Sequence, residues 1–166
     1  INAGCMFELD EDLIMVGNGA AELIHALKNV VNGRVAVTVP GFNEYVRCFQ
    51  HLGLIRVDTG CGDFALSKDD LAAAMEQAET LVVVNPDNPG GSFLDYDEML
   101  EILEKSRLLG KRVIVDESFI DFADPSRKYT LIRNELLRRH PQLVVVKSIS
   151  KSYGVPGLRL GVLACS

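Results

Sequence analysis

Several features that would place the chain quickly are missing. No stretch of eighteen consecutive apolar residues occurs, which excludes a membrane-spanning helix among the 166 residues. Basic charge is not in excess: 17 Lys and Arg stand against 23 Asp and Glu, and the formal net charge of −6 argues against broad nucleic-acid or anionic-membrane binding. Cys5, Cys48, Cys61 and Cys165 form no CxxC pair, and none of the three histidines stands at zinc-ligand spacing. Neither a disulfide frame nor a metal site is indicated, and a reduced, cytoplasmic setting is the expectation. No internal repeat, low-complexity tract or linker is present. The first residues, "INAGCMFELDED", carry no basic or apolar export segment and no initiator Met, and the last, "LRLGVLACS", stop inside an apolar run. Both ends read as interior to a longer polypeptide.

What is present is a folded, soluble composition, 48% hydrophobic and 24% charged, in a length that suits one domain burying about 70% of its unfolded surface. Short runs rich in Val, Ile and Leu alternate with amphipathic stretches, as strands covered on both faces require. Strands are predicted at 13–16, 35–39, 54–57, 81–85, 112–116, 143–147 and 160–164, and helices at 20–31, 44–52, 68–77, 96–109 and 130–139. Ser67 stands where an N-cap belongs, Asp95 with Glu98 resembles a capping box, and Gly33 and Gly110 stand where helices stop. The pattern is α/β: a three-layer α-β-α sandwich with a seven-stranded, mostly parallel sheet.

In such sheets a site forms outside the carboxyl ends of the strands. Here those ends are polar. "LVVVNPDNPGG" runs through Asn85 to Asn88, "RVIVDESFIDF" reaches Asp116, and "LVVVKSISK" ends in Ser148, Ser150 and Lys151. Taken singly, Asn88 also suits an Asn-Pro turn, Asp116 a helix cap and Lys151 a solvated loop. Together they bring an amide, a carboxylate and an amine to one place. Earlier, "MVGNGAAELIHAL" sets Gly17 and Gly19 before a helix opening with Ala20, Ala21 and Glu22, whose free N–H groups would suit a phosphate. That glycine pair lacks the third glycine of a dinucleotide fingerprint and the GK[ST] of a P-loop, and a tight turn explains it equally. An amine, a carboxylate and a phosphate cradle together are what pyridoxal phosphate needs.

The residues resemble the fold-type I pyridoxal-phosphate enzymes, in the branch with histidinol-phosphate aminotransferase and threonine-phosphate decarboxylase. "SISKSYGVPGLRLG" resembles the family's lysine motif, "NPDNPGG" its Asn-Pro-x-Asn-Pro-Thr-Gly turn and "VDESFIDF" its Asp-Glu-Ala-Tyr segment. "VGNGAAELI" and "PGFNEY" are similar to its phosphate loop and ring-stacking segment. The resemblance implies that Lys151 is catalytic, holding the cofactor as an aldimine and moving the α-proton of the substrate. It implies that Asp116 pairs with the ring nitrogen, that Asn88 donates to the phenolic oxygen and that Phe42 stacks on the ring, although spacing alone makes Phe42 an ordinary core aromatic. Ser148, Ser150, Arg159 and the backbone at Ala20 and Ala21 would hold the phosphate. Three departures stand out. Gly90 replaces the usual Thr, Phe119 replaces a Tyr that donates to the phenolic oxygen, and the "PGFNEY" and "SFIDF" forms lie closer to the decarboxylase.

Members of that family run to about twice this length, so residues 1–166 are expected to be the core of the large cofactor-binding domain, without its N-terminal arm and small C-terminal domain. The activity implied is transamination of an amino acid or amino-acid phosphate with a 2-oxo acid partner. Alternatives are decarboxylation of an amino-acid phosphate, and cofactor binding without turnover by a chain that lacks the substrate-carboxylate clamp. A homodimer is expected of the full-length protein, and neither nucleic acid, membrane nor metal as a partner. A nucleotide-binding Rossmann domain would end its second strand in an acid, and "AVTVPGF" has none. His25, His51 and His140 are expected to be solvated or packing residues, and Asp121 and Asp124 to serve turns.

Overall fold

All seven apolar runs form strands of one sheet: β1 Ile14–Asn18, β2 Val35–Val39, β3 Leu54–Asp58, β4 Thr80–Val84, β5 Arg112–Asp116, β6 Leu143–Ser148 and β7 Leu160–Ala164. The structure, a computed structural model, describes residues 3–60 and 63–166, so Cys61 lies outside the described residues. The strand order is β1-β7-β6-β5-β4-β2-β3. Neighbours from β3 through β6 pair parallel, while β7 runs antiparallel to both β6 and β1.

The central strands are buried on both faces, and their side chains alternate between two cores with the period of a pleated strand. Leu81, Val83, Val113, Val115, Leu143 and Val145 face one core. Val82, Val84, Ile114, Val144 and Val146 face the other. The first core is roofed by Leu71 and Met75 of α4 (Lys68–Gln77), Met99, Ile102 and Leu103 of α5 (Tyr96–Leu109), and Leu136 and Leu137 of α7 (Asn134–Arg139). The second is roofed by Leu23 and Ile24 of α2 (Gly19–Ala26) and by Tyr45, Cys48 and Phe49 of α3 (Asn43–Phe49). Three further short α-helices stand among the described residues: α1 (Ala3–Phe7), α6 (Ile120–Ala123) and α8 (Ile149–Ser152).

Local chemistry fixes several boundaries. The Ser67 hydroxyl accepts the Asp70 N–H to start α4, and Asp95 and Glu98 form a complete capping box on α5. Gly110, at φ 65°, ends α5 in the left-handed conformation. Gly33 ends no helix directly, since the helical stretch after α2 closes at Val30. The helix expected at 130–139 is shorter, because Glu117 draws its first residues away. Its carboxylate accepts the Thr130 hydroxyl at 2.5 Å and the Leu131 N–H at 2.6 Å, and α7 begins only at Asn134.

Candidate active site

From β2 the chain steps outward to β3 and then returns to β4 on β2's other side, so a crevice opens outside the carboxyl ends of β2 and β4. Phe42 stands there as the residue capping α3, and Tyr45 follows one turn later on the same helix face. Their rings meet edge to face at 6.1 Å. Asp116 ends β5 on the same sheet face as Ile114, so it points into the layer that holds α3. The Tyr45 hydroxyl donates to Asp116 Oδ2 at 2.9 Å, and the Ser118 N–H donates to Oδ1 at 2.9 Å. Asp116 is only 2% exposed, and Tyr45 1%. Burial pushes the Tyr45 phenol well above its ordinary value, and the neighbouring Asp116 charge adds to the effect.

Lys151 lies on α8, the single turn that follows β6, with its side chain open to solvent. Its Nζ is 4.2 Å from the centre of the Phe119 ring and 5.2 Å from that of Phe42. Lys151, Phe42, Tyr45 and Asp116 therefore form one contiguous series of contacts, built from the loops after β2, β5 and β6. The Ser148 N–H donates to the Ser118 hydroxyl at 3.0 Å and ties two of these loops together. The Ser150 hydroxyl accepts the Leu160 N–H at 3.0 Å and closes the turn that brings Arg159 back.

Arg159 reaches the start of α2, where a Cβ placed on Gly19 would lie 3.4 Å from Arg159 Nη2. Gly161 of β7 lets that helix start approach, for a Cβ on it would stand 2.4 Å from the Ala20 nitrogen. A guanidinium beside a helix N-terminus, with Ala20 and Ala21 in its first turn, is chemistry suited to an anion. The same helix start carries a carboxylate, since Glu22 accepts the Asn18 N–H at 2.6 Å.

Asn85 is occupied structurally. Its side-chain amide bonds the Leu94 backbone in both directions and closes the loop that carries Asn88. Asn88 lines a pocket of about 360 Å³ with Pro86, Asp87, Gly91, Phe119 and Phe122. Gly90 stands where the family motif has Thr for a steric reason: a Cβ there would meet Asp87 Oδ2 at 2.5 Å and the Phe64 carbonyl at 2.9 Å. Burial pushes the Asp87 carboxyl up, against the N–H groups of Gly90 and Asn88. A larger cavity of about 630 Å³ lies between α5 and α7 and holds none of these groups.

Reasoning from sequence missed three groups. Tyr45 gave no signal beyond its three-residue spacing from Phe42, and Ser118 none at all. Asp121, expected to serve a turn, instead pairs with Lys147 at 2.7 Å, whereas Asp124 does hold its turn, accepting the Ser126 hydroxyl and the Tyr129 N–H. Of the histidines, His25 and His51 are exposed, and His140 is buried near Glu104 at 3.6 Å. The set gathered at the strand ends consists of an amine, a buried carboxylate, two aromatic faces and a cationic helix start. It matches the groups that pyridoxal phosphate requires of a protein.

The family model for class I and II aminotransferases matches residues 5–166. L-serine phosphate decarboxylase of Sulfurospirillum multivorans is 33% identical over 162 residues, covering 89% of this chain and 39% of that protein. Histidinol-phosphate aminotransferase 2 of Ralstonia nicotianae is 33% identical over 159 residues, covering 93% of this chain and 42% of that protein. The crystal structure of histidinol-phosphate aminotransferase from Clostridium acetobutylicum superposes with a TM-score of 0.86 at 20% identity, over 99% of this chain and 48% of that one. It shares the fold. The chain spans about two fifths of the length of the curated relatives it matches.

Proposed function

The chain belongs to the class I and II aminotransferase family, and from that premise we propose that it forms the cofactor-binding part of a pyridoxal-phosphate-dependent aminotransferase of the histidinol-phosphate type. The substrate is an amino acid or amino-acid phosphate. One observation carries the reading: the Lys151 amine lies close to both the Phe119 and Phe42 rings, and Phe42 caps the helix that bears the tyrosine holding Asp116.

Bound pyridoxal phosphate supplies an electron sink for the charge left when a bond to the substrate α-carbon breaks. The chain's own residues do the rest. Lys151 would supply the amine that holds the cofactor aldehyde and, once freed, the base that moves the substrate α-proton. Asp116 would pair with the ring nitrogen, Phe42 would stack on the ring and Asn88 would donate to the phenolic oxygen. Arg159, Ser148, Ser150 and the N–H groups at Ala20 and Ala21 would hold the phosphate, with Arg159 contributing full charge. Phe119 has no hydroxyl, so Asn88 would be the side-chain donor at the phenolic oxygen.

A second reading is decarboxylation of an amino-acid phosphate, favoured by a serine-phosphate decarboxylase that matches as well as the aminotransferase does. A third is cofactor binding without turnover by these 166 residues alone. Full-length protein loaded with pyridoxal phosphate should show a visible absorption band that Lys151→Ala abolishes. A wild-type protein without that band would sink the enzyme reading. Amino acids with and without phosphate groups, assayed for amino transfer to a 2-oxo acid and for carbon dioxide release, then decide the reaction.

A further inference from the structure

We propose that Tyr45 is a positioning residue for this reaction: its phenol locks the Asp116 carboxylate in the orientation that presents it to the ring nitrogen of pyridoxal phosphate. The inference rests on the cofactor reading above and deepens it.

Two donors, one on α3 and one in the loop after β5, hold the two carboxylate oxygens. Tyr45 of α3 reaches Oδ2 and the Ser118 N–H reaches Oδ1, each at 2.9 Å. Together they fix rotation about the Asp116 side-chain bonds without adding charge. Each oxygen keeps one lone pair for a further partner. A hydrogen bond to a carboxylate is about twice as strong as one between neutral groups, and both members here are shielded from water. A buried phenol needs some acceptor, and a purely structural role would be met by any backbone carbonyl. This one selects the acid at the end of β5, 71 residues away.

The donor is also durable. Burial first, and Asp116 second, keep the phenol protonated to well above its ordinary range, so it donates at every pH at which the site would work. Cys48, one turn further along α3, is the other titratable group that acts on it. Because Phe42 and Tyr45 share a face of α3, one rigid helix carries both the ring-covering residue and the holder of the acid.

Tyr45→Phe in the full-length protein removes the donor and keeps the ring. Without the phenol the carboxylate draws the ring proton toward itself, the ring carries less positive charge, and the Lys151 nitrogen bonded to the aldehyde keeps its proton to higher pH. The pH midpoint of the visible band should rise by about one unit, and pyridoxal phosphate should bind about tenfold more weakly. A structural role alone would lower the melting temperature and leave the midpoint in place. In an Asp116→Asn background, Tyr45→Phe should add no further shift. A wild-type band whose midpoint is unchanged in Tyr45→Phe overturns this inference alone, whereas absence of any band in wild type overturns the cofactor reading with it. If Tyr45→Phe does not fold, 3-fluorotyrosine at position 45, a stronger donor of the same shape, should lower the midpoint, and no shift there overturns the inference equally.

Discussion

Lys147 interrupts a valine run on β6 and is only 2% exposed, a placement that costs free energy unless the ammonium finds a partner. Its Nζ meets Asp121 Oδ1 of α6 at 2.7 Å. Burial alone would raise the Asp121 carboxyl, but Lys147, Ser152 and the Arg127 charge together outweigh it and hold the group below its ordinary value. The two partners are not equally hidden, since the Asp121 side chain is 26% exposed. Asp121→Ala would strand a buried ammonium, and we expect a loss of about 3–5 kcal/mol in denaturant unfolding. Lys147→Met leaves a carboxylate that water can reach and fills the same volume, so its loss should be smaller. Equal losses for the two variants would contradict the burial argument. The pair also has a place in the site, for it fastens α6, just after Asp116 and Phe119, to the strand that leads into Lys151.

Between elements, the closest approach at the site is α2 against β7. Gly161→Ala sets a methyl carbon against the Ala20 nitrogen and the Gly19 carbonyl carbon, backbone atoms that cannot swing aside. The helix start must move away from Arg159. We expect Gly161→Ala to weaken binding of inorganic phosphate and pyridoxal phosphate by tenfold or more in the full-length protein, at a stability cost of about 1–3 kcal/mol. Unchanged binding would show that the helix start takes no part. Elements of this size were largely legible beforehand, for stated reasons. The strands are apolar because both faces are covered, and α4 and α5 begin and end where Ser67, Asp95 and Gly110 say they should. The single turns α1, α6 and α8 were not legible, being too short to show a period. Nor was the shortening of α7, because Glu117 and Thr130 meet only once the chain is folded. At the candidate site, polar strand ends pointed to Asp116, Asn88 and Lys151, while Tyr45 sat unnoticed among core aromatics.

Across the whole molecule, the sheet is closed by strands from opposite ends of the sequence. Among the described residues β1 pairs only with β7, and the Cys165 N–H donates to the Leu13 carbonyl at 3.0 Å just beyond them. A chain shortened to end at Arg159 would leave β1 without a neighbour and turn β6 into an apolar edge. Amide hydrogen exchange should then find Ile14–Asn18 unprotected while β2 and β4 remain slow. Persistent protection of Ile14–Asn18 would show that β1 is held by something other than the ladder.

That arrangement sets a schedule for biosynthesis. β1 leaves the ribosome with its amides facing water, and roughly 140 residues must be added before β7 arrives, on the order of ten seconds at translation speed. Through that interval β2, β4, β5 and β6 can pair with one another while β1 waits for β7.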